Sequence, residues 1–308
     1  MKHTLKVTLL IVLIFFLAQM VGLVALNYNT LVYEEPETGE VIVHHMDTAI
    51  GERPQLEGVS TLVYILIAIL IGTGLILLLV RLRKVKIWKA MYFFAVWMTC
   101  TITIGVFIGP TISLVLCFIL AVLKLYKPNP WTHNITEMFI YAGIAIIFVP
   151  LLDIFWSVVL LLAISVYDVI AVWKSGHMVT MAEFQTQSRA FAGVVIGYKE
   201  KIKGKFPKAK TKAKPKERTE TRNAVLGGGD IAFPMIFAGV VMDGLIRSMG
   251  FTKPSAFLMA LFIPVVVTIA LFILLYKAEK DKFYPAMPFL TAGCLVGYGL
   301  MLAVNLLL

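Results

Sequence analysis

Apolar residues in this chain gather into blocks of about twenty, the length that crosses a bilayer core of about 30 Å as a helix. They predict spans at roughly 5–26, 60–80, 88–108, 110–126, 135–152, 154–173, 226–246, 254–276 and 285–306. The alternating runs of about ten residues that a membrane β-barrel needs are missing from the pattern. Helices satisfy their own backbone in lipid, so an all-α polytopic membrane protein with nine transmembrane helices is expected. The third and fourth blocks meet at Gly109-Pro110, and the fifth and sixth near Pro150 and Asp153. Lys2 and Lys6 give the first block a basic start, as in a secretory leader. Its apolar run exceeds the usual 7–15 residues and no small-x-small site follows, so it reads as a retained helix.

Charge sets the orientation. The segment 27–59 carries Arg53 against Glu34, Glu35, Glu37, Glu40, Asp47, Glu52 and Glu57, and belongs outside. Loop 81–89 holds Arg81, Arg83, Lys84, Lys86 and Lys89; Lys124 and Lys127 mark the next inner turn. Thirteen Lys/Arg lie in 174–225, and Lys277, Lys280 and Lys282 mark the last inner loop. Nine spans with a cytoplasmic N-terminus put every strongly basic loop on one side and the C-terminus outside. Three parts follow: 1–173 with six helices, a basic cytoplasmic loop 174–225, and 226–308 with three helices. Within the loop, the Lys-rich stretch 199–222 is expected to be mobile and solvated. The stretch 189–198 forms an apolar patch too short to cross a membrane.

Composition agrees with the pattern. Of 308 residues 59% are hydrophobic and 15% charged, with mean hydropathy +0.88. The net charge of +10 comes from loops beside spans, which points to anionic lipid rather than nucleic acid. Cys100, Cys117 and Cys294 fall inside spans and read as small buried hydrophobes.

Against that apolar background two acids stand out: Asp168 in Ser165-Val166-Tyr167-Asp168-Val169-Ile170 and Asp230 in Gly227-Gly228-Gly229-Asp230-Ile231. A charge in hydrocarbon is costly and marks a functional site by default. Asp168 lies about five residues before the basic end of the sixth span, and Asp230 about four after the start of the seventh. At 1.5 Å per residue both sit roughly 6–8 Å below the cytoplasmic surface, on helices that can pack antiparallel. Two close carboxylates in a low dielectric cannot both ionise readily and hold one proton between them. Such a pair can run aspartic-protease chemistry: one group is base toward a water, the other acid toward a carbonyl, with no metal or cofactor.

The surroundings fit. Gly227, Gly228 and Gly229 let backbone or an extended substrate approach Asp230, and equally suit close helix packing. Pro285 and Pro288, with Ala286 and Met287 between, make the ninth span start irregular at the same depth, tolerable beside a cavity. Tyr167 is either a hydrogen-bond partner of the site or a packed aromatic. Asp153 and Asp243, near outer span ends, read as structural or solvated, because charge costs less near the interface. His3, His44, His45, His133 and His177 all fall in loops or at chain ends, which argues against a Ser–His dyad in the membrane. His44-His45 with Asp47 reads as a solvated outer loop rather than a metal site, and no HExxH motif occurs. Asn134-Ile135-Thr136 matches a glycosylation acceptor that would be silent on the cytoplasmic side.

Tyr167-Asp168, Gly227-x-Gly229-Asp230 and Pro285-Ala286-Met287, in that order, resemble the GxGD intramembrane aspartyl proteases, presenilin and signal peptide peptidase. The resemblance covers the whole topology. Tyr-Asp-Val-Ile-Ala-Val and the Gly176–Arg189 stretch lean toward presenilin, while Asp230-Ile231 with Pro234 is closer to signal peptide peptidase; the mixture is most like a microbial presenilin homologue. Met287 stands where the family's Pro-Ala-Leu motif has Leu, and the similar size and flexibility of Met should preserve function. The resemblance implies that Asp168 and Asp230 are the catalytic pair and that Pro285, Ala286 and Met287 shape the active site. It implies cleavage within transmembrane helices, without cofactor or obligatory partner subunit. With the presenilin orientation, single-span substrates with the N-terminus outside are expected, cut by an enzyme of the cell membrane. A substrate helix must unwind before cleavage, and its unwound segment is expected to add to a strand edge; 189–198 either supplies or blocks that edge or, equally, is a mobile loop with no functional contact. A proton- or cation-coupled transporter or channel would use the same two acids, although no inverted repeat relates the halves. A non-catalytic scaffold is a third possibility.

Overall fold

A computed structural model describes residues 4–35, 41–53, 55–56, 58–188, 190–202, 218–279 and 284–307. Helix α1 (Leu5–Asn29) leads into an antiparallel hairpin of β1 (Thr30–Glu34) and β2 (Val41–His45), followed by α2 (Val59–Arg81), α3 (Val85–Ile108) and α4 (Pro110–Tyr126). Then come α5 (Pro130–Phe148), closed by a 3-10 turn at Val149–Leu151, and α6 (Ile154–Val169), which widens into a π turn at Ile170–Lys174. A short α7 (His177–Gln187) precedes β3 (Gly193–Ile202) and β4 (Arg218–Gly227). The last part holds α8 (Gly228–Met249), α9 (Lys253–Ala260), α10 (Phe262–Lys277) and α11 (Met287–Leu307).

Among the described residues eight helical segments are long and apolar enough to cross a membrane; α5, α6 and α9–α10 qualify with their continuations. Helix α4 is apolar but only 17 residues long. The protein is therefore an integral, multi-pass, mostly helical membrane protein.

The element boundaries have local causes. Asn129 accepts the Trp131 N–H with Pro130 at the first position of α5, so this helix starts five residues earlier than its apolar run suggests. Asp153 caps α6 through the Trp156 N–H at 2.7 Å, which gives this exposed acid the structural role expected of it. Pro150 has no N–H for the Ile146 carbonyl; Arg53 Nε, from the segment between β2 and α2, donates to it at 3.2 Å. The seventh span begins at Gly228 rather than 226, because residues through Gly227 belong to β4.

Two loop readings change. Within 27–59, β1 and β2 pair as a hairpin, and alternation along β2 turns His45 inward and His44 outward. His45 is buried and its Nε2 lies 2.8 Å from buried Asp243 on α8, so neither is solvated. Arg247 and Lys253 add bonds to the Val43 and Thr30 carbonyls. The stretch 199–222 also differs from expectation: Ile202↔Arg218 through Gly193↔Gly227 form a ten-pair ladder. The mobile character expected there otherwise falls on 203–217, outside the described residues.

Helix α8 is the centre of the bundle: 83% of its span is buried, against 11% for α2. Helices α1, α5, α6, α10 and α11 all pack on it. Its interior Pro234 cannot donate to the Asp230 carbonyl, which loosens the first turn. Gln19 of α1, itself buried, donates to the adjacent Ile231 carbonyl at 2.9 Å and supports that turn.

Candidate active site

Asp168 sits next to last in α6, just before the π turn, and is 4% exposed. Its partner comes from the chain entering α11. Residues 284–286 carry no regular secondary structure, and α11 starts at Met287. The first N–H groups of a helix have no partner within it. The Met287 N–H donates to Asp168 Oδ2 at 3.0 Å, so the aspartate caps a helix other than its own. One turn deeper, Ser165 and Thr291 hydroxyls meet at 2.8 Å and hold α6 against α11. The irregular start expected of the ninth span is present, with Pro285 and Ala286 buried ahead of the helix.

Asp230 lies in the first turn of α8 and is 7% exposed. The Gly227 N–H reaches its carboxylate. A Cβ added to Gly227 would stand 3.2 Å from Asp230 Oδ2, so only glycine lets the backbone close on this carboxylate without crowding it. At Gly228 an added Cβ would meet the Tyr141 ring at 2.8 Å, whereas Gly229 is exposed and would meet only Phe233, at 3.4 Å. The three glycines thus face a carboxylate, an aromatic ring and open space.

Both aspartates line one cavity of about 350 Å³, and Asp230 lies within electrostatic reach of Asp168. Gly227, Gly228, Gly229, Ala286, Met287 and Tyr167 line it too, whereas Pro285, also buried, does not. The Tyr167 hydroxyl points elsewhere: it lies 2.9 Å from Thr73 Oγ1 on α2 and 3.3 Å from His177 Nε2. Helix α7 covers one side with Met178, Met181, Ala182 and Gln185. A second, largely apolar cavity of about 520 Å³ between α2, α3, α5 and α8 shares Gly228, Gly229 and Phe233 with the first. Among the described residues no cluster of three His, Cys, Asp or Glu could hold a metal.

One charged group escaped the sequence reading. Glu137 of α5 is 1% exposed and meets Lys124 of α4 at 2.5 Å. Tyr92 of α3 donates to Glu137 at 3.0 Å, and Tyr141, one turn further along α5, donates to its other oxygen. Because Tyr141 also packs on Gly228, the buried ion pair is linked mechanically to the start of α8. A signal was available: Lys124 and Glu137 are opposite charges at the same end of consecutive apolar blocks.

The apolar patch 189–198 does supply a strand, but its outer edge is taken. Asn134 and His133 of α5 bind the β3 backbone at Val195 and Gly193. The open edge of the hairpin belongs to β4, whose Val225 is 37% exposed and lines the site cavity.

Residues 40–306 match the family model described as signal-peptide peptidase, presenilin aspartyl protease. Two solved structures of a presenilin family intramembrane aspartate protease are similar in fold. One, in space group C222, is 18% identical with TM-score 0.55, covering 94% of this chain and 93% of that one. The other, in space group P2, is 20% identical with TM-score 0.55, covering 98% of each chain. No curated protein matches the chain.

Proposed function

The chain belongs to the signal-peptide peptidase, presenilin aspartyl protease family and is an intramembrane aspartyl protease; on that premise we propose Asp168 and Asp230 as its catalytic pair. The observation that carries the assignment is their burial at the wall of a single cavity. The ionised carboxylate takes a proton from water as the oxygen attacks the scissile carbonyl, and the protonated one donates to the carbonyl oxygen. Collapse of the tetrahedral intermediate then breaks the C–N bond, with the proton passing to the leaving nitrogen. Gly227 keeps the backbone close to Asp230; Ala286 and Met287 hold Asp168 and line the cavity with Gly228, Gly229 and Tyr167; Pro285 shapes the irregular lead-in.

The substrate is a transmembrane protein. Its scissile segment unwinds and pairs with the open edge of β4, while its intact helical part occupies the adjoining apolar cavity. The reading counts nine crossings, taking α4 as a span at the short end of the range of about 17–25 residues. The Lys/Arg distribution favours a cytoplasmic N-terminus, an outer C-terminus and a cell-membrane location. The parts 1–173 and 226–308 then bring one aspartate each, joined by the cytoplasmic segment 174–225. That orientation favours single-span substrates with the N-terminus outside.

Asp168→Asn and Asp230→Asn, each reconstituted with such a substrate, test the assignment. Each should abolish cleavage while the fold persists; normal cleavage by either variant overturns it. Cleavage of only the reverse substrate orientation overturns the topology.

A further inference from the structure

The β3–β4 hairpin has two long edges; among the described residues, helix side chains bond along the β3 edge, whereas on the β4 edge the Asp230 carboxylate takes the Gly227 N–H at its end. Asn134 pairs with Val195 at two points: its Nδ2 donates to the Val195 carbonyl and the Val195 N–H donates to its Oδ1, both at 3.0 Å. His133 Nε2 lies 2.8 Å from the Gly193 carbonyl. Just before the strand, the Tyr92 hydroxyl, whose one proton is shared with Glu137, lies 3.0 Å from the Phe191 carbonyl, and Trp88 donates to the Ala190 carbonyl at 3.0 Å. The Asn134 side chain is buried, so its two bonds face little competition from water.

In an antiparallel pair, successive residues alternately turn their N–H and C=O toward the partner strand and away from it. Val195 commits both groups to Asn134, so it faces away from β4. Its register partner Val225 then turns its own N–H and C=O to the opposite, open edge. Asn223 and Gly227, two residues to either side, do the same. The Gly227 N–H accordingly reaches Asp230. The open edge and the aspartate are thus in phase, and Asn134 holds that phase from the far side of the sheet.

We infer that Asn134 is a positioning residue that sets the register of cleavage. By fixing which β4 groups face the cavity, it fixes which peptide bond of a docked strand lies at the two aspartates. A strand docks in steps set by its two-residue period, so a loosened hairpin displaces the cut along the substrate. The inference rests on the strand-docking reading given above.

The test compares reconstituted wild type, Asn134→Ala and Asn134→Asp on one single-span substrate, with products located by mass spectrometry. Asn134→Ala should raise products cut two residues from the main site by roughly threefold to tenfold relative to it, the scale of one net hydrogen bond. Asn134→Asp, which keeps the acceptor for the Val195 N–H, should show a smaller spread and serves should the Ala variant fail to fold. A loss of rate with unchanged cut positions in the folded variants overturns the inference. Val225→Pro, which removes an edge donor, separates the two ideas. If it cleaves as wild type does, strand docking itself fails; if it impairs cleavage while Asn134 variants keep their cut sites, only the register role fails.

Discussion

The Asp168 carboxylate accepts the backbone N–H of Met287 at 3.0 Å, so the residue that departs from the family's Pro-Ala-Leu motif makes its bond through the main chain. Its side chain is free to vary as long as it fills the same buried space. Met287→Leu should therefore keep kcat within about threefold of wild type, as volume-conserving swaps do. Met287→Pro removes the donor at a helix start that tolerates proline and also shortens the buried side chain, so Met287→Ala, which shortens it but keeps the N–H, is the reference for the lost bond. Loss of a buried partner costs about 1–3 kcal/mol, so kcat should fall roughly tenfold to a hundredfold below that reference. Equal rates for wild type and Met287→Pro on a reconstituted substrate would remove Met287 from the site.

The glycines before Asp230 should separate by what each faces. Gly228→Ala drives a methyl into Tyr141 and should destabilise the protein by about 1–3 kcal/mol, as overpacking does. Gly227→Ala crowds the Asp230 carboxylate and should lower kcat more than stability. Gly229→Ala meets ordinary contact and should be the mildest of the three. Thermal unfolding in detergent, read beside kcat, gives the order; equal stability of the Gly228 and Gly229 variants would contradict it.

Breaking the buried Lys124–Glu137 pair from either side strands a charge. Lys124→Met or Glu137→Gln alone should destabilise by about 3–5 kcal/mol. The double variant should recover much of that loss, because no uncompensated charge is left. Additive losses in a double-mutant cycle would show that the two residues do not act as a pair.

The sequence exposed Asp168 and Asp230 because a carboxylate deep in an apolar run has few bland explanations. Glu137 is as deeply placed, yet its run was read as beginning at 135, which puts it at an interface where charge is cheap. With α5 starting at Asn129–Pro130, Glu137 lies about two helical turns in from the helix start. The hairpin was hidden for a different reason. Its strands pair across residues 203–217, and Lys199, Lys201, Arg218 and Arg222 make their outer ends resemble a solvated linker. Pairing between distant segments leaves no local period to read. His45 shows the same limit: its partner Asp243 lies on another element, so its burial was invisible from its polar neighbours.

Helix α2 keeps little of its surface against the rest of the protein while forming a wall of both cavities through Ile69. Most of what holds it in place is therefore lipid. Displacing it exchanges hydrocarbon for hydrocarbon and sacrifices few protein contacts. The thickness and order of the surrounding bilayer then become kinetic variables of the enzyme, as much a part of its rate as the two acids.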